Sequence, residues 1–391
     1  MGRKNGAQGE NPEEELAKSR EEIRSITRSI LDLANARQKA ALKVSSNKEL
    51  LGTAVAVPEV ERRVLADALD HAKSIGLDKD FAREMVQSLF RYSKLIQSEE
   101  IHRKQIQKFL EETKIKVVSV IGAGRMGTWF AKYFRDLSVT VLLYDENRAK
   151  AKEKSKELKV GLHEKLAEVV ESDLVIVSAP ISKIPEILKE ISELGARRAK
   201  PLRVIEISSI KNQMGSSGFF HQESQNPKLL LYSIHPLFGG SAKSFESNCI
   251  VQTFPEETSL LRDMFPHFTI VSMDWKEHDQ LMGIFLTLPH ALAMVFANAI
   301  PLDRNLWKDA VGLTSPSYSR ILDLSKRVLS EDPEIYFEIQ ASNPNSKLVL
   351  TDAMNSLLKL EKVLKNRAEF VQFFNEAGRT IQQLDELKTT D

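Results

Sequence analysis

The stretch VVSVIGAGRMGTWF, residues 117–130, decides how the chain is read. A short run rich in valine and isoleucine leads straight into Gly122, Gly124 and Gly127, and an aromatic-rich amphipathic segment follows. Glycines at that spacing permit a tight turn and let backbone N–H groups approach a pyrophosphate, whose charge is stabilised at the amino end of the helix beginning there. Alone, G-x-G-x-x-G is a weak signal. Here a strand precedes it, a helix follows, and the second strand, TVLLYD, ends in Asp145, an acid placed to bind both ribose hydroxyls of an adenosine half. The expected cofactor-binding set is therefore Gly122, Ala123, Gly124, Arg125, Met126, Gly127 and Asp145, with Ala179 and Pro180 ending a further strand on the nicotinamide side. Asp145 favours NAD over NADP. Arg148 keeps NADP open, because a guanidinium can pair with a 2′-phosphate.

Working outward, VVSVIG, TVLLYD, DLVIVSAP, RVIEISS and LLYSIHP alternate with amphipathic segments, the pattern of a parallel, doubly wound sheet over residues 114–274. After Met273 the strands stop, and 275–391 reads as helical, with more apolar residues than one monomer face needs and hence a dimer contact. Ahead of the sheet, residues 13–110 are helical throughout. Ile23, Ile26, Ile30 and Leu33 recur at steps of three and four, Pro58 starts a second helix that Gly76 ends, and Asp78 caps a third. The expected fold class is multidomain: an all-α three-helix domain, an α/β Rossmann domain and an all-α C-terminal domain. Residues 1–12 are polar and read as a disordered tail, neither a signal peptide nor a spanning helix.

Composition narrows the function. A formal net charge of +1 over 391 residues offers no excess of basic charge to displace phosphate counterions, so a nucleic-acid partner is not expected. One cysteine, Cys249, makes neither an intrachain disulfide nor a thiolate metal cage, which fits a reducing cytoplasm; no metal is expected. The apolar stretch 283–300 approaches spanning length, but Pro289, His290 and Asn298 interrupt it, and a buried core helix is expected instead of a membrane partner.

Three short stretches fall at strand ends or on later helices: ISSIK with Ser209 and Lys211, IHPLFGG with His235, and TSPSYSRILDLSKRV with Arg320 and Arg327. The two arginines are seven apart, so they share a helix face. Taken singly, an exposed arginine is more often solvated or ion-paired. Together with a lysine, a strand-end histidine and a nucleotide site, they read as a pocket for a carboxylate-rich substrate. Pro236 restricts His235 to extended geometry, and a neutral imidazole held there can accept the proton of a substrate hydroxyl as hydride leaves the same carbon.

These residues carry a resemblance. From about Lys116 onward the chain resembles prephenate dehydrogenases: GAGRMG, SSIKN, HPLFGG, KEHDQLMG, LPHALA, and SPSY with its arginines and EDP match in order. The resemblance implies that His235 polarises a ring hydroxyl with Ser209 as its neighbour, that Lys211 lies near a carboxylate, and that Arg327 and Arg320 bind substrate carboxylate. His290 matches a second substrate-side histidine, with a core histidine as the alternative. The first hundred residues resemble the all-helical chorismate mutase domain fused ahead of some of these enzymes. Matching positions are Arg20, Arg37, Lys48, Glu61, Ser93 and Gln97, implying arginines for two carboxylates, Lys48 and Gln97 for the breaking ether, and Glu61 for the hydroxyl. Val60 and Val57 depart from the family pattern. Arg20 and Arg37 are 17 residues apart, roughly 25 Å along one helix and turned about 100°, so a shared site needs Arg37 of one chain and Arg20 of another in an intertwined dimer. The implied function is bifunctional: chorismate to prephenate, then NAD-dependent oxidation of prephenate to 4-hydroxyphenylpyruvate and CO₂. The rivals are an arogenate dehydrogenase with an inactive helical dimerisation module and a non-catalytic nucleotide-sensing protein.

Overall fold

The computed structural model describes residues 12–51, 58–220, 228–242, 248–301, 303, 307, 308, 310 and 313–388. The tail expected at 1–12 falls outside these residues except for Pro12, which opens the first helix. The chain divides into two compact units, Met1–Phe109 and Leu110–Asp391.

The first unit is built on α1 (Pro12–Leu51), α2 (Pro58–Ser74) and α3 (Lys79–Glu112). No proline or glycine interrupts α1 after Pro12, and Glu13, Glu14 and Glu15 lie in its first turn, where the helix dipole favours anions. Gly76 stops α2 in the left-handed region, φ +70°, and the Asp78 carboxylate accepts the Phe81 N–H at 2.8 Å as the cap of α3. Both boundaries were legible from the sequence. The stripe Ile23, Ile26, Ile30 and Leu33 of α1 faces outward, with Leu33 71% exposed, so this helix carries an apolar face that its own unit leaves uncovered.

The second unit holds an eight-stranded sheet in the order β3-β2-β1-β4-β5-β6-β7-β8. The strands are β1 (Val117–Ile121), β2 (Thr140–Tyr144), β3 (Gly161–Leu162), β4 (Leu174–Val177), β5 (Leu202–Glu206), β6 (Leu229–Pro236), β7 (Cys249–Phe254) and β8 (Thr269–Ser272). All pairings are parallel except β6 with β7. The chain leaves β1 in one direction to β2 and β3, then crosses to β4, β5 and β6 on the other side. That reversal opens a crevice beyond the carboxyl ends of β1 and β4. The five runs read as strands form β1, β2, β4, β5 and β6; β1, β4 and β5 are buried on both faces and rich in valine and isoleucine, while β2 and the start of β6 alternate with more exposed positions. The sequence reading passed over β3, β7 and β8; β3 has only two residues, β7 is broken by Gln252, and β8 is a four-residue edge.

Around the sheet lie α4 (Arg125–Asp136), α5 (Arg148–Leu158), α6 (Ile184–Gly195), α7 (Asn212–Ser216) and α8 (Ser259–Met264). The helical end follows as α9 (Trp275–Met282), α10 (Leu288–Ala299), α11 (Pro316–Leu329), α12 (Pro333–Ser342), α13 (Ser346–Val363) and α14 (Arg367–Lys388). One widened π turn, Gly283–Thr287, joins α9 to α10 just where Pro289 lacks the N–H that a regular helix would use. The resulting rod, Trp275–Ala299, is long and apolar enough to cross a membrane by composition alone, with mean hydropathy 1.6. The buried core helix expected at 283–300 is not what the single chain shows: His278, Asp279, Thr287 and Ala293 are buried, and the Ala293 carbonyl accepts the Ser325 hydroxyl of α11 at 3.0 Å, but Ile284, Phe285, Leu292 and Val295 are each more than half exposed, an apolar face the chain itself leaves uncovered.

Candidate active sites

The dinucleotide crevice is shaped by what its glycines exclude. A Cβ on Gly122, whose φ is +99°, would lie 2.1 Å from the Ser178 carbonyl oxygen, and one on Gly127 would lie 1.8 Å from the Gly122 carbonyl oxygen. These two permit the turn and the close packing of α4 on β1. Gly124 meets nothing within 4 Å, leaving open space where a phosphate can approach the start of α4. The Asp145 carboxylate accepts the Ala123 N–H at 2.6 Å and the Asn147 N–H at 2.8 Å, tying the acid to the glycine turn. Arg148 is engaged elsewhere: it donates to the carbonyls of His163, at 3.0 Å, and Glu164, and pairs with the Glu164 carboxylate. The acid is thus placed for ribose hydroxyls while the cation that would favour a 2′-phosphate is held away, and the residues fit NAD. Ala179 and Pro180 stand beyond β4 as expected. Met126 is half-buried, and Arg125, exposed, reaches out of the loop to pair with Glu331.

His235 sits at the carboxyl end of β6, nearly fully buried. Its Nδ1 is 3.0 Å from His278 Nε2, and His278 Nδ1 is 2.8 Å from Asp279 Oδ1. A carboxylate only accepts, so His278 Nδ1 carries the proton, its Nε2 is left to accept, and His235 Nδ1 must donate. That chain leaves His235 Nε2 with a lone pair. Burial, reinforced by the competing imidazole of His278 and by the Lys211 ammonium, holds the His235 imidazole well below the ordinary histidine range. Burial also lowers His278, against the pull of Asp279. At neutral pH the strand-end imidazole is therefore an uncharged base. The sequence contained this relay in KEHD, and neither His278 nor Asp279 was singled out there. An adjacent His–Asp pair on a helix reads as facing solvent until a partner strand is known.

One expectation needs correction. Lys211 does not line a substrate pocket: it is fully buried, and its ammonium donates to Glu206 at 2.6 Å, Ser208 Oγ at 3.2 Å and the Ile234 carbonyl at 2.7 Å, which accounts for all its protons. The His235 ring hydrogen-bonds to His278, and the hydroxyl drawn into the polar network is that of Ser208, the residue before Ser209. Ser209 itself is half-buried beside them.

Around the crevice, α12 and the turn just before it supply two fastenings. Glu338 accepts the N–H of Ile181 at 2.6 Å and the hydroxyl of Ser182, just beyond Pro180, while Glu331, before the capping Asp332, pairs with Arg125. Ile181, Ile210, Met282 and Ile339 close a small apolar cluster among the same segments. His290 meets the Tyr336 ring edge-on at 4.8 Å, and its imidazole is lowered by burial and by the Arg327 charge. Arg327, His290 and Tyr336 are thus gathered. Arg320 lies two turns earlier on α11, exposed and outside that group.

In the first unit, Arg37 of α1 donates to the Leu89 carbonyl at 3.0 Å and to the Ser93 hydroxyl of α3, and Gln97 Nε2 donates to the Ala41 carbonyl at 3.0 Å. Arg37, Ser93 and Gln97 are therefore brought together. Glu61 of α2 pairs with Lys94 at 3.3 Å, a cation the sequence reading did not single out although it adjoins Ser93. Arg20, exposed, lies on the same unbroken α1 as Arg37, and a single chain's α1 cannot bring both to one small molecule. The side chain of Lys48, like residue Val57, lies outside what the structure describes.

A doubly wound sheet whose glycine turn and strand-end acid fit NAD, with a buried histidine at the carboxyl end of β6, has the parts that NAD-dependent hydride transfer needs. Family comparison makes this specific. Residues 19–98 match the chorismate mutase type II family, residues 274–376 match the prephenate dehydrogenase dimerization domain, and residues 81–188 match the NAD binding domain of D-isomer specific 2-hydroxyacid dehydrogenases. A probable arogenate/prephenate dehydrogenase of Methanocaldococcus jannaschii is 24% identical over 283 residues, 69% of this chain and 62% of that protein, so the match spans less than two thirds of that relative's length. The T-protein of Enterobacter agglomerans is 24% identical over 344 residues, 85% of this chain and 83% of its own. Among solved structures, prephenate dehydrogenase from A. aeolicus in complex with hydroxyphenyl propionate and NAD+ covers 69% of this chain and 98% of its own, with a TM-score of 0.53 at 18% identity, a likeness of fold. The chain thus carries, ahead of and behind its Rossmann sheet, segments that match type II chorismate mutases and the prephenate dehydrogenase dimerization domain.

Proposed function

We propose that the chain rearranges chorismate to prephenate in its first unit and oxidises prephenate to 4-hydroxyphenylpyruvate in its second. The observation that carries the second reaction is the lone pair that the Asp279–His278 relay leaves on His235 Nε2. Gly122, Gly124, Gly127 and Asp145 would hold NAD⁺, which supplies the hydride acceptor. The substrate's ring hydroxyl donates to Nε2; as hydride leaves C4, the imidazole takes the proton. As the C1 carboxylate departs as CO₂ and the ring becomes aromatic, the proton returns to the oxygen. Aromatisation supplies much of the driving force, so the protein's work is positioning and this proton transfer. Arg327, beside His290, is assigned the substrate's side-chain carboxylate, and Arg320 a supporting role at most.

The mutase reaction is pericyclic and needs no nucleophile. Arg37 and an Arg20 from a second copy hold the carboxylates, Gln97 and Lys48 face the ether oxygen, Glu61 takes the hydroxyl, and Ser93 fixes Arg37. This requires a homodimer, which the outward stripe of α1 and the exposed Phe337, Leu357 and Phe374 of the C-terminal helices support. We place the enzyme in the cytoplasm, in keeping with its single cysteine.

The purified chain, given NAD⁺ and either prephenate or arogenate, tests the dehydrogenase assignment. We expect NADH and CO₂ in equal amounts and faster turnover with prephenate. Turnover confined to arogenate would replace the assignment, and none with either would remove it.

A further inference from the structure

Beneath the relay lies an ion pair that the reaction does not use. Lys211 and Glu206 are both completely buried. Glu206 ends β5, and its carboxylate accepts the Lys211 ammonium, the Ser233 hydroxyl of β6, and both the N–H and the hydroxyl of Ser208, at 2.8 and 2.7 Å. A buried pair is tolerated when its remaining lone pairs and protons are all satisfied, as they are here, but such a pair adds little stability over well-packed apolar residues. What distinguishes this one is where its lysine points. The ammonium holds the carbonyl of Ile234, the peptide that carries His235, at 2.7 Å. The backbone N–H of the same residue donates to the Asp279 carboxylate at 2.9 and 3.1 Å, and the next N–H, of Asn212, adds 2.8 Å. Asp279 in turn orients His278, and His278 orients His235. Both supports of the catalytic imidazole, its backbone and its relay, converge on Lys211.

We propose that the buried Lys211–Glu206 pair is a positioning device of the dehydrogenase site: its ammonium clamps the peptide that carries His235, and by fixing the Lys211 side chain it steadies the backbone whose N–H holds Asp279. The inference rests on His235 being the proton acceptor. Among the described residues, the charged and titratable groups that face His235 are His278 and Asp279 from α9 and Lys211 and Glu206 from the β5 end; its partner across β7 is the apolar Val251. The Lys211 charge is one cause of the lowered His235 imidazole, so removing the pair should let His235 take a proton more readily, whereas at His278 the losses of Lys211 and Glu206 oppose each other.

The test uses the full chain carrying Lys211→Met together with Glu206→Gln, because removing the lysine alone strands a buried carboxylate. Histidine ring signals are followed by NMR against pH, with His235→Asn identifying the His235 signal, and kcat/KM for prephenate is measured over the same range. We expect the His235 midpoint and the acid limb of kcat/KM to rise together by about half a pH unit or more. A folded variant with a lowered melting temperature but an unmoved His235 midpoint overturns the proposal and leaves the pair merely structural. A moved midpoint with an unmoved acid limb upholds the electrostatic role and removes His235 as the acceptor. In the unaltered chain, a His235 midpoint at or above about 6.5 overturns the proposal even if the double variant does not fold.

Discussion

Replacing His235 by asparagine is expected to slow prephenate oxidation by about 10²–10⁴-fold with NAD⁺ affinity and mutase turnover unchanged. The magnitude follows from what is lost. Asparagine can still donate to His278, so the buried relay keeps a partner, and the change is smaller in volume than the space it vacates. Its amide oxygen accepts a hydrogen bond but does not take up a proton, and the oxidation of an alcohol without a proton acceptor must expel hydride from a neutral hydroxyl. The turn after β1 and Asp145, to which the cofactor is assigned, lie apart from His235, so the NAD⁺ binding constant, read by fluorescence or calorimetry, should not move. Undiminished oxidation by the variant would show that the proton goes elsewhere.

The second large effect concerns the helical unit. Arg37→Ala and Arg20→Ala are each expected to cut chorismate turnover by about 10²–10³-fold, since each removes a cation aimed at a carboxylate whose charge the site must hold. Arg37 is already oriented by the Leu89 carbonyl and the Ser93 hydroxyl. Arg20 sits two-fifths of the way back along the same rod, exposed in the single chain. If a second copy supplies it, mixing the two inactive variants under conditions that exchange subunits restores activity: a hybrid dimer contains one site with both arginines intact and one with neither. Random pairing makes half the dimers hybrid, so the mixture should recover about one quarter of the unaltered rate. No recovery from a mixture shown to exchange would mean that one chain builds the whole site.

Much of this was legible in the sequence because the relevant signals are local. The glycine turn, the acid ending β2 and the proline-locked His235 each need only a few neighbouring residues to be interpreted, and the boundaries at Pro58, Gly76 and Asp78 follow from backbone chemistry at single positions. What stayed hidden depends on partners far along the chain. His278 and Asp279 gain meaning only when α9 is laid against the end of β6, 43 residues from His235. Lys211 was misplaced for the same reason: a lysine in a strand-end loop looks solvent-facing until Glu206, Ser208 and the Ile234 carbonyl are seen to enclose it. Arg148 could be read either way until Glu164, sixteen residues on, was found to occupy it. The antiparallel β7 escaped notice because its one polar interior residue, Gln252, broke the apolar run; that side chain is used inward, donating to the Pro255 and Glu257 carbonyls.

The central claim is that one polypeptide holds both catalytic sites, and the progress of NADH absorbance after chorismate and NAD⁺ are added to the purified chain tests it most directly. NADH should appear after a lag while prephenate accumulates, and the His235→Asn chain should consume chorismate without forming NADH. If the chain oxidises added prephenate but yields no NADH from chorismate, the helical unit has no mutase activity and the claim is wrong.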